Sequence, residues 1–254
     1  MPDPVVASCT APVALITGAA ARIGAALSQR LHARGYNIAL HYNRSQDRAE
    51  ALAARLESVR PDSVQLIQAD LLDTRAVLRL AAEAQAAWGR MDVLVNNASA
   101  FYPTPLATLE ERHWIDLMRS NAKAPLFLCK ELRRSLIASR GCILNIVDST
   151  AMAGLADFTP YAMAKAALTN MTRSLARELA PEVRVNGISP GIILWPEYGE
   201  GLSDEEKTAA VAHTALKRKG DVDDITHAAL FLIEKATYVT GQVIRVDGGA
   251  TLAV

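Results

Sequence analysis

The chain has 254 residues, half of them hydrophobic, and its 27 basic and 27 acidic residues give a formal net charge of zero. This composition is enough for a large core within one α/β domain, and the balanced charge leaves no field to attract nucleic acid or an anionic membrane. No apolar run is long enough to span a bilayer, the three cysteines have no Cys-x-x-Cys spacing, and the five histidines have no metal-ligand spacing. We therefore expect a protein of the reducing cytoplasm without a membrane span, a disulfide framework or a metal site.

In chain order, a mobile N-terminal arm is expected over residues 1–11, followed by a single domain over 12–254. Within that domain, short β-branched runs alternate with helical patterns, which is typical of βαβ units and a parallel sheet. The predicted strands are VALIT, NIAL, VQLIQ, DVLVN, CILNIV, VRVNGI and QVIRV. Most are almost continuously apolar, as expected where helices cover both faces of the sheet.

Helical periodicity is clearest in two of the segments between these strands. One has Ile23, Leu27 and Leu31 at every fourth position, with Gly35 as a C-terminal cap. In the other, one helix face carries Val77, Leu80, Ala81, Ala84 and Trp88. The pattern predicts a doubly wound α/β fold with a seven-stranded parallel sheet and about six major helices, whose ligand site lies beyond the carboxyl ends of the strands.

The first predicted strand runs into the turn of LITGAAARIG. Small residues from Gly18 to Ala21 would let the backbone approach a pyrophosphate, which the following helix N-terminus favours. The motif differs from Gly-x-Gly-x-x-Gly, because Gly18 and Gly24 are six residues apart and Arg22 stands where the middle glycine would fall. An ordinary tight connection is the alternative interpretation.

The second predicted strand ends in HYNRS, where a site for NAD would usually place an acid. The sequence has Asn43, Arg44 and Ser45 instead, and a guanidinium with a hydroxyl can bind the 2′-phosphate of NADP(H). The alternative is a solvated loop with Ser45 as the N-cap of the next helix. Asp70, after the third strand, would either accept a hydrogen bond from an adenine amino group or cap a helix.

Catalytic side chains are predicted in the second half of the chain. Tyr161 and Lys165 are four residues apart, so they share one helix face, and the ammonium is expected to bring the pKa of the phenol closer to neutrality. Thirteen residues before this tyrosine stands Asp148, where many enzymes with this pair have a serine. A carboxyl group suits reduction of a ring C=N bond, because hydride goes to carbon while a proton goes to the adjacent nitrogen. Burial would raise the pKa of Asp148 and Lys165 would lower it, and the sequence does not decide between them.

TGAAARIG, NNA, Asn121, Tyr-x-x-x-Lys, SPG at 189–191 and VDGG together resemble the short-chain dehydrogenase/reductase family over nearly the whole chain. HYNRS, NNASAFYP running into TPL, and Asp148 are more specifically similar to the pteridine reductases. The resemblance implies a single-domain Rossmann-type fold, a homotetramer, and NADPH-dependent reduction of dihydropterins, with dihydrofolate or oxidised pterins as further substrates.

The resemblance also implies roles for individual residues. The implied catalytic group is Asn121, Asp148, Tyr161 and Lys165. The implied cofactor contacts are Gly18, Arg22, Ile23, His41, Tyr42, Asn43, Arg44, Ser45, Asp70, Leu71, Asn97, Ala98, Ser99, Tyr161, Lys165, Pro190 and Gly191. The implied substrate contacts are Arg22, Ser99, Phe101, Asp148, Tyr161 and Trp195. Ala21 is a departure, because some members have lysine there.

A substrate-covering loop is expected at about 192–212, with Trp195 and Glu197 as its candidate contacts, and Ser203 with Glu206 predicts a capping box inside it. Simpler interpretations stay open: Asp148 as a cap at a strand end, Phe101 as a core aromatic, and Arg22 as a solvated side chain.

Two other functions are compatible with the sequence. One is reduction of carbonyls or 3-ketoacyl thioesters, which uses the same tyrosine and lysine. The other is NADP(H) sensing without turnover, which the catalytic residues argue against.

Overall fold

The computed structural model describes residues 10–149, 151, 154–195 and 203–252, so the arm predicted over 1–11 lies almost entirely outside the described residues. The described residues contain one seven-stranded sheet in the order β3-β2-β1-β4-β5-β6-β7, in which every neighbouring pair is parallel. The strands are β1 Val13–Ile16, β2 Asn37–Tyr42, β3 Val64–Gln68, β4 Val93–Asn96, β5 Cys142–Ile146, β6 Arg184–Pro190 and β7 Val243–Val246. The seven predicted strands are confirmed, with ends that differ by one or two residues.

Eight α-helices connect the strands within the described residues. They are α1 Arg22–Ala33, α2 Gln46–Glu57, α3 Thr74–Trp88, α4 Glu111–Met118, α5 Ala124–Ser139, α6 Thr159–Glu178, α7 Asp204–Ala212 and α8 Val222–Leu230. A π-helical turn, Arg119–Lys123, joins α4 to α5, and another, Phe231–Lys235, follows α8. The expectation of about six major helices omitted short ones, because eight or nine residues give little periodicity.

Helices cover both faces of the sheet, and each face has its own core. Residues of α3, α5 and α6 pack on one face, and residues of α1, α2 and α8 pack on the other. Leu27 and Leu31 are fully buried in α1, and Gly35 follows that helix with a φ of +88°. The predicted apolar face of α3 is likewise in the core, with Trp88 packed against it. The doubly wound α/β fold is confirmed.

The strand order reverses between β1 and β4, the third and fourth strands across the sheet. The Thr17 hydroxyl oxygen, just after β1, accepts hydrogen bonds from the backbone N–H groups of Asn97 and Ala98, just after β4, both at 3.0 Å. The two loops that follow these strands are therefore joined at the carboxyl edge of the sheet, where doubly wound folds bind their ligands.

Candidate active site

The turn between β1 and α1 is tight and leads directly into the N-terminus of a helix, an arrangement that suits an anion. Gly18 has a φ of +62°, in the left-handed region that favours glycine, and a Cβ on Gly24 would lie 2.2 Å from the Gly18 carbonyl oxygen. The N-cap of α1 is Ala21, whose side chain gives the first-turn N–H groups no hydrogen-bond acceptor. A pyrophosphate would supply acceptors at this helix terminus, so the turn fits the phosphates of a dinucleotide.

Asn97 and Ala98 support this turn from β4. The Asn97 side-chain amide donates to the carbonyl oxygens of Thr17 at 2.8 Å and Gly18 at 3.1 Å. A Cβ on Gly18 would lie 3.0 Å from the Ala98 Cα. The structure thus uses the Asn97 side chain to hold the turn, and Ala98 sets how closely the two loops approach.

Arg22 begins α1 with a φ of +54°, a conformation that non-glycine residues rarely adopt. Its guanidinium donates to the carbonyl oxygens of Leu194 and Trp195, each at 3.2 Å. It therefore links the turn between β1 and α1 to the segment after β6, and it is not merely a solvated side chain. Ile23 packs against the core beneath the turn. Trp195 is half-buried, and Glu197 lies outside the described residues.

The predicted 2′-phosphate contacts lie at the end of β2, on the side of β1 away from β4. Asn43, Arg44 and Ser45 are exposed in the loop after Tyr42, the last residue of β2. Ser45 occupies the N-cap position of α2, but its side chain forms no capping hydrogen bond.

Asp70 lies half-buried in the loop after β3, beside the buried Leu71. Its carboxylate accepts a hydrogen bond from the backbone N–H of Leu72 at 3.0 Å. The N-cap of α3 is Asp73, which accepts from the N–H of Arg75 at 2.8 Å, so the helix-capping interpretation of Asp70 is wrong.

The predicted catalytic pair lies on α6, and its tyrosine contacts the unusual acid. The Tyr161 hydroxyl donates a hydrogen bond to Asp148 Oδ2 at 2.7 Å. The other carboxylate oxygen of Asp148 accepts from the backbone N–H of Ala151 at 3.2 Å. Asp148 therefore caps a turn after β5, as the simpler interpretation held, and also bonds directly to Tyr161.

The expected lowering of the Tyr161 pKa is wrong. Lys165 is buried, donates from Nζ to the Ile146 carbonyl oxygen at 3.0 Å, and lies 5.7 Å from the centre of the Tyr161 ring. Burial raises the pKa of Tyr161 well above its ordinary value, and the charge and hydrogen bond of Asp148 raise it further. Burial also lowers the pKa of Lys165 to about 8, although the Asp148 charge opposes this shift. Tyr161 is therefore a protonated hydrogen-bond donor at neutral pH.

Asn121 lies in the π-helical turn between α4 and α5, a kind of turn that is common at functional sites. Its side chain is fully buried, and its Oδ1 accepts a hydrogen bond from the Ser99 hydroxyl at 2.6 Å. Its Nδ2 donates to the carbonyl oxygens of Ala100 and Leu117, each at 3.0 Å. Asn121 thus fixes the loop after β4, which carries Ser99.

Phe101 belongs to a small aromatic cluster apart from the two main cores. Its ring centre lies 4.7 Å from that of Tyr161 with the planes 60° apart, and 4.7 Å from that of Phe158 with the planes 20° apart. Sequence reasoning missed Phe158. The available signal was its position three residues before Tyr161, because this places the ring at the start of α6.

Backbone hydrogen bonds join the ends of β5, β6 and β7. The Ser149 N–H donates to the Pro190 carbonyl oxygen at 3.1 Å, and the Gly191 N–H donates to the Val246 carbonyl oxygen at 3.0 Å. A Cβ on Gly191 would lie 2.6 Å from the Asp247 Cα, so the chain can pass this close only with glycine at this position.

The segment after β6 is only partly a loop. The capping box is confirmed: the Ser203 hydroxyl accepts from the Glu206 N–H at 3.1 Å, and the Glu206 carboxylate accepts from the Ser203 N–H at 2.7 Å. It starts α7, which occupies 204–212. The second half of the substrate-covering segment expected at about 192–212 is therefore helical, as its capping box indicates.

Among the described residues, no group of three or more His, Cys, Asp or Glu side chains could hold a metal ion. No helix in the described part of the chain combines the length and the apolar character needed to cross a membrane.

The chain is similar to known reductases over nearly its whole length. A family model described as enoyl-(acyl carrier protein) reductase matches residues 18–251. Pteridine reductase 1 of Leishmania tarentolae is 39% identical, covering 96% of this chain and 98% of the relative. The 3-oxoacyl-[acyl-carrier-protein] reductase of Staphylococcus aureus is 34% identical over 93% of this chain and 96% of its own length, and that of Staphylococcus epidermidis is 33% identical over 93% and 97%.

Proposed function

The chain belongs to the short-chain dehydrogenase/reductase family, whose reductases use a nicotinamide cofactor, and on that premise we propose that it is an NADPH-dependent pteridine reductase. Its substrates would be dihydropterins, with dihydrofolate or oxidised pterins as further substrates, and its products tetrahydropterins. The observation that carries the proposal is the 2.7 Å hydrogen bond between the Tyr161 hydroxyl and Asp148, formed next to the ring of Phe101.

The protein's part in such a reaction is to hold the ring and deliver a proton. When bound, the cofactor supplies the hydride. Tyr161 keeps its proton at neutral pH because its pKa is raised, so it can donate a hydrogen bond and then the proton to a ring nitrogen. Asp148 is half-buried and bonds to the same hydroxyl, so after Tyr161 has given up its proton the carboxylate would take a proton from solvent and pass it to the Tyr161 oxygen.

Phe101 supplies the flat surface that a pterin needs. Its plane is fixed by the stacked ring of Phe158 and the edge of Tyr161. Offset stacking on an aromatic ring contributes about 0.5–1.5 kcal/mol beyond the buried area, and it also fixes which face of a heterocycle meets the cofactor. Ser99 and Arg22 would contact both cofactor and substrate from the neighbouring loops.

The preference for NADPH is supported by the loop after β2. Arg44 and Ser45 are exposed there, and the loop carries no acid between Tyr42 and α2 that would repel a 2′-phosphate. A guanidinium binds phosphate through paired, charge-assisted hydrogen bonds. Asp70, one strand further along the sheet, would hold the adenine amino group.

A second candidate function is reduction of carbonyls such as 3-ketoacyl thioesters. The similarity to two 3-oxoacyl-[acyl-carrier-protein] reductases favours it, and Asn121, Tyr161 and Lys165 would serve that reaction equally well. Asp148 argues against it, since a carboxylate beside a carbonyl oxygen that gains negative charge is unfavourable.

Steady-state NADPH oxidation with dihydrobiopterin, dihydrofolate and a small β-ketoacyl thioester separates the candidates. We expect the largest kcat/KM with a dihydropterin. Faster turnover of the thioester would replace the proposal with the second candidate. Tight NADPH binding without turnover of any substrate would indicate a sensing protein.

We further propose a homotetramer in the reducing cytoplasm. Exposed Leu126 on α5 and Met163 on α6 support assembly, because a partner subunit would cover such side chains. Cys129 and Cys142 are free thiols, which is consistent with a reducing compartment. Light scattering on the purified protein measures the assembly state, and a monomer would contradict this part of the proposal.

A further inference from the structure

His41, the penultimate residue of β2, connects the loops after β1 and β3 at the carboxyl edge of the sheet. Its Nδ1 lies 3.0 Å from the backbone nitrogen of Gly18, and its Nε2 lies 3.1 Å from the carbonyl oxygen of Ala69. Its own carbonyl oxygen accepts from the N–H of Ala19 at 2.8 Å. The side chain is 1% exposed.

The partners determine the form of the ring. The Gly18 N–H can only donate, so Nδ1 must be the unprotonated acceptor, and Nε2 carries the hydrogen that is donated to the Ala69 carbonyl. The ring is thus the neutral Nε2–H tautomer. Because β2 lies between β1 and β3, a rigid ring with one nitrogen on each side can reach the ends of both neighbouring strands.

Both ring nitrogens are occupied by the protein and the ring is buried, so the side chain is not placed to contact a dinucleotide directly. We propose that His41 is a positioning residue for the cofactor: it fixes the orientation of the Gly18 peptide in the phosphate turn and ties that turn to the Ala69–Asp70 segment. This inference rests on the proposed position of the cofactor over the β1–α1 turn.

The geometry explains why this position needs a hydrogen-bond acceptor for the Gly18 N–H. Two consecutive N–H groups of the turn, those of Gly18 and Ala19, bond to His41 and are therefore directed toward β2. The N–H groups at the start of α1 are left to meet the phosphates. Without the Nδ1 acceptor, the Gly18 N–H would lose its partner, and the turn would be held by the remaining hydrogen bonds of Asn97 and Ala19. More of the turn would then have to become ordered when the cofactor binds.

Two substitutions separate hydrogen bonding from packing. His41→Leu removes both ring hydrogen bonds, whereas His41→Asn keeps an acceptor near the position of Nδ1. The matched control is His32→Leu, because His32 is also a buried histidine, 4% exposed, with a 2.8 Å contact to Ser63, but it lies near the other end of α1 from the phosphate turn.

NADPH dissociation constants measured by fluorescence titration test the inference. We expect His41→Leu to weaken binding about tenfold, equivalent to about 1.4 kcal/mol. His41→Asn should stay close to the wild type, and His32→Leu should lower the melting temperature without changing affinity. Unchanged affinity in His41→Leu would overturn the inference, and so would equal losses in His41→Leu and His32→Leu.

Amide hydrogen exchange at Gly18 in the free protein gives a test that does not depend on the cofactor. His41→Leu should accelerate this exchange, while His32→Leu should leave it unchanged. Equal exchange in all variants would refute the positioning role. A wild-type protein that does not bind NADPH, but shows faster Gly18 exchange in His41→Leu, would instead refute the proposed function alone.

Discussion

Replacing Asp148 by asparagine removes one charge from the site with little change in volume. The amide keeps an oxygen that can accept from the Ala151 N–H, but the group facing the Tyr161 hydroxyl loses its charge and its acidity. A hydrogen bond to a charged group contributes about 1.5–3 kcal/mol, against about 0.5–1.5 kcal/mol for a neutral pair. The weaker bond alone should therefore reduce the population of correctly oriented Tyr161 about tenfold.

Loss of the proton-transfer role adds to this effect. A positioned acid or base contributes about 10²–10⁴-fold to a rate, so we expect kcat/KM for a dihydropterin to fall by about that factor. Asp148 also raises the pKa of Tyr161, so in the variant the tyrosine should lose its proton at a lower pH and the alkaline limb of the rate profile should shift down. The affinity for NADPH should change by no more than a few-fold, because the phosphate turn follows β1 and Asp148 follows β5.

The assay is steady-state NADPH oxidation with a dihydropterin across a pH series, combined with NADPH binding. Asp157→Asn is a matched control: it removes the same charge from an exposed residue with a φ of +61°, a conformation that asparagine tolerates. The control should retain activity. Rates for Asp148→Asn that match the wild type at every pH would refute the proton-transfer role.

Three further predictions concern the cofactor, the substrate and stability. Arg44→Glu should weaken NADPH binding far more than NADH binding, because the carboxylate repels the 2′-phosphate. Equal losses of affinity in titrations with the two cofactors would show that Arg44 does not contact the 2′-phosphate. Phe158→Ala should raise the KM for a dihydropterin several-fold, because Phe101 loses its stacking partner, while Phe158→Tyr should keep the KM of the wild type. An unchanged KM in steady-state assays of the alanine variant would show that Phe158 does not support Phe101 in binding the substrate. Burial lowers the pKa of His41 from 6.5 to about 4. Between these pH values the unfolded chain binds a proton that the folded chain does not. The free energy of unfolding should therefore fall by about 3 kcal/mol as the pH is lowered through this range. Urea denaturation at several pH values should show this loss in the wild type and a smaller one in His41→Asn. An equal dependence of the unfolding free energy on pH in both proteins would contradict the lowered pKa of His41.

The fold was predictable because its signals are local. Each strand is a short apolar run, and the buried faces of α1 and α3 repeat at helical spacing, as with Leu27 and Leu31. The placement of Tyr161 and Lys165 on one helix face was predictable for the same reason. Their assignment to a catalytic site came from the resemblance of several motifs taken together.

The electrostatics and the connecting contacts of the site were not predictable. The effect of Lys165 on Tyr161 depends on burial and on which group is nearer, and the structure places Asp148 in direct contact while Lys165 bonds to a backbone carbonyl. Sequence spacing gives neither the burial of a side chain nor its distance from another charged group. The link from Arg22 to the segment after β6 spans more than 170 residues and depends on a left-handed backbone conformation, so no local pattern indicates it.

A crystal structure of the complex with NADP⁺ and a dihydropterin tests the central claim most directly. The expected density shows the bicyclic ring stacked on Phe101, with a ring nitrogen within hydrogen-bonding distance of the Tyr161 hydroxyl and Asp148 behind that hydroxyl. A ring bound elsewhere in the cleft, with Phe101 and Asp148 out of reach of it, would contradict the account and leave a reductase of another substrate class.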